Sequence, residues 1–257
     1  MPSSSFIVTL DGPAGVGKST LARKLAIALA IPYLDTGAMF RRLALELRGN
    51  ADIPEEKLRE VYTGLDFTLC AKNGESHLLC NGRPVGHEIR TEEVGLWAAR
   101  IAGNAVVREV LKEAQRAVGA CSSLVAEGRD MGTEVFPGAR CKFFLDASPD
   151  VRALRRLKDL KTRGEKHQLA ALAASIRERD AMDRERAIAP LRPAADAVIV
   201  DTSALDIEGV FAVLMAHIQR EVAGYPPGMP GSESPRKYAV ARHTAISTSL
   251  PSKTRIS

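Results

Sequence analysis

An α/β fold with a mainly parallel sheet flanked by helices is predicted by three observations. Strand-like and helix-like segments alternate along most of the chain, a glycine-rich loop joins the first strand to the first helix, and a hairpin-like stretch at 64–93 interrupts the alternation. The chain has 257 residues, 45% of them hydrophobic, enough for one α/β domain with insertions and a sizeable core.

The first unit carries the most information. Phe6-Ile7-Val8-Thr9-Leu10 is a β-rich apolar run, the pattern of a buried strand. It leads into Gly12-Pro13-Ala14-Gly15-Val16-Gly17-Lys18-Ser19-Thr20, which fits glycine, four residues, then glycine-lysine-serine. Leu21 to Leu29 is rich in helix formers, with Leu21, Leu25 and Leu29 on one stripe. A strand, this loop and a helix set free backbone N–H groups and the positive end of the helix dipole around a polyphosphate. Lys18 adds a charge at the β/γ-phosphates, and the Ser19 hydroxyl can ligate Mg²⁺. The segment therefore predicts a nucleoside triphosphate site.

The remaining elements follow in order. Ile31 to Asp35 reads as a short strand ending in the polar turn Asp35-Thr36-Gly37, and Ala38 to Arg48 as a helix. Leu65 to Cys70 and His77 to Cys80 flank a turn at Asn73-Gly74, and Asn81-Gly82 offers a second, which together predict a small antiparallel β insert. Helical character runs from about Thr91 to Val118. Ser123 to Glu127 and Cys141 to Leu145 read as core strands, Pro149 opens a cationic helix, and Leu169 to Asp183 is amphipathic. Ala197 to Val200 is the last strand, closed by a helix over Ile207 to Val222. Residues 224–257 are rich in Pro, Ser and Thr without periodicity and are expected to form an unstructured tail.

Composition excludes several classes. No apolar run reaches the length of a membrane span, and the first five residues lack the basic region of a signal peptide. Cys70, Cys80, Cys121 and Cys141 form no Cys-x-x-Cys pair, which argues against zinc and for reduced cytosolic thiols. The net charge of +5 is misplaced for a nucleic-acid binder. From Gly224 onward, Arg236, Lys237, Arg242, Lys253 and Arg255 face one acid, Glu233; the tail carries +4 and leaves +1 on residues 1–223. The tail itself reads as a solvated extension more readily than as a tether to RNA or an anionic membrane.

Three Arg/Asp clusters favour a phosphoryl acceptor other than water. Asp35 to Arg42 follows the second strand and Glu127 to Thr133 the third, so both face the crevice beyond the strand carboxyl ends. Arginines there can clamp an acceptor phosphate bidentately. The third cluster, Arg177 to Arg186, would also pass as a solvated helix end. Arg152, Arg155 and Arg156 lie near the start of a helix, where some can cover the transferring phosphates while others face water. Glu127 and Asp146, both at strand ends, can orient metal-bound water or serve as structural caps.

The phosphate loop, Leu34 to Arg41, Glu88 to Val94, Gly128 to Thr133, and Arg179-Asp180 through Ala189-Pro190-Leu191 together resemble the bacterial cytidylate kinase family of P-loop nucleoside monophosphate kinases, over about residues 6–222. The resemblance implies a nucleoside monophosphate kinase domain at 1–223 that phosphorylates CMP and dCMP with MgATP, in the cytoplasm and as a monomer. It implies an acceptor-nucleotide subdomain at about 36–118 containing the β insert, and a short lid at about 150–164. It further implies that Arg41 and Arg129 hold the CMP phosphate, that Asp130, Arg108 and Arg186 meet the cytosine ring, and that Arg179 and Asp183 meet the sugar. Thr36 takes a small hydroxyl position near the acceptor. Lys18 with Arg152, Arg155, Arg156 and Arg186 supplies the candidates for neutralising the travelling phosphoryl group. A broader pyrimidine nucleotide kinase on the same scaffold is the alternative.

Two positions depart from the family pattern. Phe40 stands where a tyrosine is usual, and Arg100 where the family places a serine beside the cytosine amino group. Arginine has no acceptor, so either Asp130 holds the amino group alone or Arg100 pairs with Asp130. Both readings predict weaker rejection of UMP than is usual in the family.

Overall fold

The computed structural model describes residues 5–50, 52–72, 75–162, 164–222 and 236–239. Five parallel strands form the main sheet: β1 (Ile7–Asp11), β2 (Tyr33–Asp35), β6 (Leu124–Gly128), β7 (Cys141–Asp146) and β8 (Val198–Asp201), in the spatial order β2-β6-β1-β7-β8. The predicted α/β class and the five predicted core strands are therefore present, with ends displaced by a residue or two. Because all five run parallel, Asp11, Asp35, Gly128, Asp146 and Asp201 end on one edge of the sheet, and the loops after them share one crevice.

Strand alternation divides the core into two layers. Leu124 and Ala126 face one layer and Val125 the other, the period-2 geometry of a strand covered on both faces. Helix α1 (Lys18–Leu29) and α8 (Ile207–Val222) cover one face, with Leu21, Leu25, Val210, Leu214 and Ile218 buried against Val8, Leu10 and Phe143. Helices α2 (Thr36–Glu46) and α5 (Ala105–Cys121) cover the other. In α5, Val107, Val110, Leu111, Ala114 and Val118 form one buried stripe at helical spacing.

The helical character expected over about 91–118 is carried by two helices, α4 (Glu92–Ile101) and α5, separated by Ala102-Gly103-Asn104. The Asn104 side chain accepts from the N–H groups of Val106 and Val107 and so starts a new helix, while the Thr91 hydroxyl accepts from Val94 and starts α4. Caps of this type contribute about 1 kcal/mol each. Helix α3 (Glu55–Thr63) has no counterpart in the sequence reading; Leu58 is its one buried residue, too little for a periodic signal.

The β insert is present. Strands β3 (Phe67–Lys72) and β4 (Glu75–Cys80) pair antiparallel, and β4 pairs with β5 (Arg83–Pro84). At the turn between them Asn81 and Gly82 both take positive φ, 52° and 74°, as a primed hairpin turn requires. The predicted Asn73-Gly74 turn lies outside the described residues. A fourth strand, β9 (Arg236–Ala239), pairs antiparallel with β3, so these four tail residues are not the unstructured chain expected; their backbone groups extend the insert. The rest of 223–257 lies outside the described residues.

Helices α6 (Pro149–Thr162) and α7 (Leu169–Glu185) pack as a hairpin with a small core of their own, Ala153, Leu160, Leu172, Ala173 and Ile176. Among the described residues, no helix is long and apolar enough to cross a membrane.

Candidate active site

The glycine-rich loop leaves β1 at the centre of the sheet and is shaped by three glycines at φ +143° (Gly12), +83° (Gly15) and +91° (Gly17). A Cβ at Gly12 would lie 2.1 Å from the carbonyl oxygen of Leu145, so the loop passes β7 at a distance only glycine permits. Pro13 and Val16 are buried, and Val16 anchors the loop in the core. Ala14, Gly15, Gly17, Lys18, Ser19 and Thr20 line a cavity of about 730 Å³. Gly17 precedes α1 without a side-chain cap, which leaves the first-turn N–H groups available to an anion. Lys18 is buried and donates to the Pro13 carbonyl at 2.7 Å; burial, with the nearby Arg129 guanidinium, pushes its pKa down to about 7.

Seven arginines line the same cavity: Arg23, Arg41, Arg90, Arg129, Arg155, Arg156 and Arg179. With Lys18 they outnumber the five lining acids, Asp35, Glu92, Glu127, Asp159 and Asp206, which makes the cavity one for an anion. On the acceptor side, Arg41 Nη1 and Arg179 Nε are buried without hydrogen-bond partners. Burial, with Arg129 next, pushes Arg179 down to about 10. Unpaired buried donors cost about 1–3 kcal/mol each, so these arginines are poised for an acceptor that a ligand supplies.

Arg129 donates from Nε to Asp183 Oδ2 at 2.7 Å, and Arg186 Nη1 lies 3.4 Å from Asp183 Oδ1. Burial pushes the Asp183 pKa upward, but Arg129, Arg186 and Arg179 outweigh it and hold the carboxyl below its ordinary range. Arg108 hydrogen-bonds Asp130 and the Ala102 carbonyl, and Arg186 Nη2 stands 3.8 Å from the other Asp130 oxygen. Thus Arg108, Asp130 and Arg186, which the resemblance assigned to the base, and Asp183, which it assigned to the sugar, are brought together as one ion-pair network. With Thr36, whose hydroxyl donates to the Glu127 carbonyl, they stand behind the cavity wall rather than on it. Arg100 is exposed and is not a partner of Asp130, which removes the pairing alternative. Phe40 packs on the main core under the Arg108 guanidinium, 5.7 Å from its ring centroid.

The three arginines on α6 separate. Arg155 bonds Thr202, through its hydroxyl at 3.0 Å and its carbonyl at 2.5 Å, and Arg156 reaches across the cavity to Glu92 at 2.6–2.8 Å. Arg152 is 1% exposed and does not line the cavity. It ties the Ala14 and Ala147 carbonyls to Asp180, at 3.0, 2.9 and 3.1 Å.

Ser19 donates to Glu127 Oε1 at 2.7 Å, while Glu127 Oε2 is buried without a partner. A hydroxyl and a half-satisfied carboxylate, both hard oxygen donors, suit Mg²⁺, which takes one or two protein oxygens and completes its shell with phosphates and water. Asp146, the other sequence candidate, accepts from Ala147 N–H and lies off the cavity.

Sequence reasoning assigned no role to Asp11, Arg90, Glu92 or the loop Thr202 to Asp206. The last follows β8 and reaches the phosphate loop, where a Cβ at Gly17 would sit 3.2 Å from Ile207; the strand-end rule that located the other clusters also points to it. Asp11 was signalled by an acid in an apolar run directly before Gly12. It accepts from the N–H groups of Met131 and Gly132 at 2.9 and 2.8 Å, fixing the turn Met131–Val135 that follows Asp130.

Burial raises the Asp11 carboxyl to about 6 against the pull of those N–H groups. A raised folded pKa means that the folded state binds more protons than the unfolded chain between about pH 4 and 6. Stability from this group is therefore full below pH 4 and lost as pH rises through 6. Relative to Asp11→Asn, the wild type should lose on the order of 2–3 kcal/mol over that interval, read by urea unfolding at each pH. A difference that stays flat would overturn the assignment.

A phosphate loop facing an arginine-lined wall, at the edge of a five-stranded parallel sheet, defines a P-loop phosphotransferase. The family model for cytidylate kinase matches residues 8–220, and the chain belongs to that family. It is similar to the cytidylate kinase of Nitratidesulfovibrio vulgaris, with 61% identity over 219 residues, covering 85% of this chain and 94% of that one. The cytidylate kinase of Oleidesulfovibrio alaskensis is 53% identical over 83% of this chain and 98% of its own, and that of Yersinia pestis 45% over 87% and 98%.

Proposed function

We propose that the protein transfers the γ-phosphoryl group of MgATP to CMP or dCMP, giving ADP with CDP or dCDP, in pyrimidine nucleotide metabolism in the cytoplasm. The observation that carries this reading is the pair of anion-binding walls in one cavity: loop N–H groups with Lys18 on one side, and unpaired Arg41 and Arg179 donors on the other. Two phosphate-bearing substrates held this way meet in line, and an acceptor phosphate needs no dedicated general base. Ser19 and Glu127 would hold Mg²⁺, which supplies charge neutralisation at the β- and γ-phosphates. Arg41 and Arg129 hold the acceptor phosphate and Arg179 the sugar, Asp183 fixes Arg129 from behind the wall, and Lys18, Arg155 and Arg156 face the triphosphate. Arg156 must exchange Glu92 for phosphate as substrates bind. The Asp130 carboxylate, set by Arg108 and Arg186 behind the cavity wall, would suit the cytosine amino donor and repel the uracil oxygen in its place once substrate binding exposes it.

Initial rates of ADP release with MgATP and CMP, dCMP, UMP, AMP, GMP or no acceptor test the reading. Turnover with CMP and dCMP is expected. ADP release that no acceptor increases would sink it. Because the Arg100 side chain is exposed and off the cavity, Arg100→Ser should leave the CMP/UMP ratio of kcat/KM within about twofold of wild type.

A further inference from the structure

We infer that Tyr33 is a positioning residue for the metal–nucleotide end of the site, acting through Glu127; the inference rests on the phosphotransferase reading above. Tyr33 lies on the edge strand β2 and is 5% exposed, and its ring packs in the α1–α8 core layer. A buried phenol must find a partner for its O–H, and a backbone carbonyl would satisfy it. Here the partner is a buried carboxylate: Tyr33 O–H donates to Glu127 Oε1 at 2.5 Å. The same oxygen accepts the Ser19 hydroxyl at 2.7 Å, while Oε2 has no partner.

This division of labour has a chemical consequence. Two donors on Oε1 fix the plane of the carboxylate and leave Oε2 buried without a partner, on a residue that lines the cavity. The Ser19 proton is committed to Glu127, so the lone pairs of the hydroxyl are free for a cation. Without the phenol, Oε1 keeps one donor, and the carboxylate can turn and carry the serine hydroxyl with it. The strand that carries the phenol is tied to the insert, because the Tyr33 backbone N–H donates to the Ser76 hydroxyl on β4 at 2.8 Å.

Tyr33→Phe keeps the ring and removes the O–H, so packing is preserved. The probe is Mn²⁺, followed by electron paramagnetic resonance as it is titrated into the full-length protein with a non-hydrolysable ATP analogue. Wild type, Tyr33→Phe, Glu127→Gln and Ser19→Ala are compared, and metal-free binding of the analogue is measured alongside by calorimetry. A charge-assisted buried hydrogen bond corresponds to about a tenfold change. Tyr33→Phe should weaken Mn²⁺ in the ternary complex about tenfold, with metal-free analogue binding and the KM for CMP unchanged within twofold. Mn²⁺ affinity within twofold of wild type, with Glu127→Gln strongly weakened, overturns the role of Tyr33 and leaves the metal site standing. If Glu127→Gln and Ser19→Ala also leave Mn²⁺ affinity unchanged, no metal is held at this position, and the metal assignment falls with the inference. Equal weakening of metal-free and metal-bound analogue by Tyr33→Phe would show a packing role only, and also overturns it.

Discussion

Replacing Lys18 by methionine is expected to lower kcat by about 10²–10³-fold while leaving the protein as stable as before or more so. The two halves of this prediction come from one fact. Lys18 is buried under the phosphate loop, where burial and Arg129 disfavour its charge, and its ammonium donates to the Pro13 carbonyl. Methionine has similar length and no charge to desolvate, so the folded state gains what the cation was losing. The cation is rewarded only when phosphate charge builds up in front of it, and the loss therefore falls on the transition state rather than on folding. The KM for CMP should change little, because the unpaired Arg41 and Arg179 donors proposed to meet the acceptor are left in place. Steady-state kinetics with a thermal melt decide the matter. A variant that melts well below wild type would show that Lys18 supports the loop structurally, and retained kcat would remove it from the reaction.

Legibility in the sequence followed the range of the interaction. Gly12 to Ser19 was readable because strand, turn and helix are contiguous, and the chemistry depends on backbone conformation that glycine spacing reports. The Arg108–Asp130–Arg186–Asp183 network was readable only as separate motifs on a strand end and on helices, assembled by family resemblance; its contacts span from 3 to 56 residues of chain. Tyr33 and Glu127 lie 94 residues apart, and nothing local marks the tyrosine as other than a core residue of an edge strand. Helix α3 escaped notice for the opposite reason, since it buries one side chain and has little pattern to read. Arg100 shows the limit of aligning motifs: its motif position pointed to the base pocket, yet the side chain is exposed and Asp130 is engaged by two other arginines.

Arg152 is where sequence and structure point to different experiments. Its place beside Arg155 and Arg156 marks it as a candidate for the transferring phosphates, but the three side chains leave α6 in different directions. Arg155 and Arg156 line the cavity; Arg152 turns inward to Asp180 on α7, with two carbonyls, Ala14 and Ala147, taking its remaining donors. Removing one partner of a buried ion pair strands the other, at a cost of about 3–5 kcal/mol. Arg152→Met should therefore destabilise by about that amount in urea unfolding, and Asp180→Asn should cost less because the amide keeps an acceptor for the guanidinium. The double variant Arg152→Met/Asp180→Leu should recover part of the loss, since no charge is then left buried alone. The loop would feel the change as well: the Ala14 carbonyl belongs to the phosphate loop, so the KM for ATP should rise more than kcat falls. The contrary pattern, wild-type stability with kcat reduced a thousandfold, would mean that Arg152 leaves Asp180 for the phosphates during turnover, and would make it a catalytic residue after all.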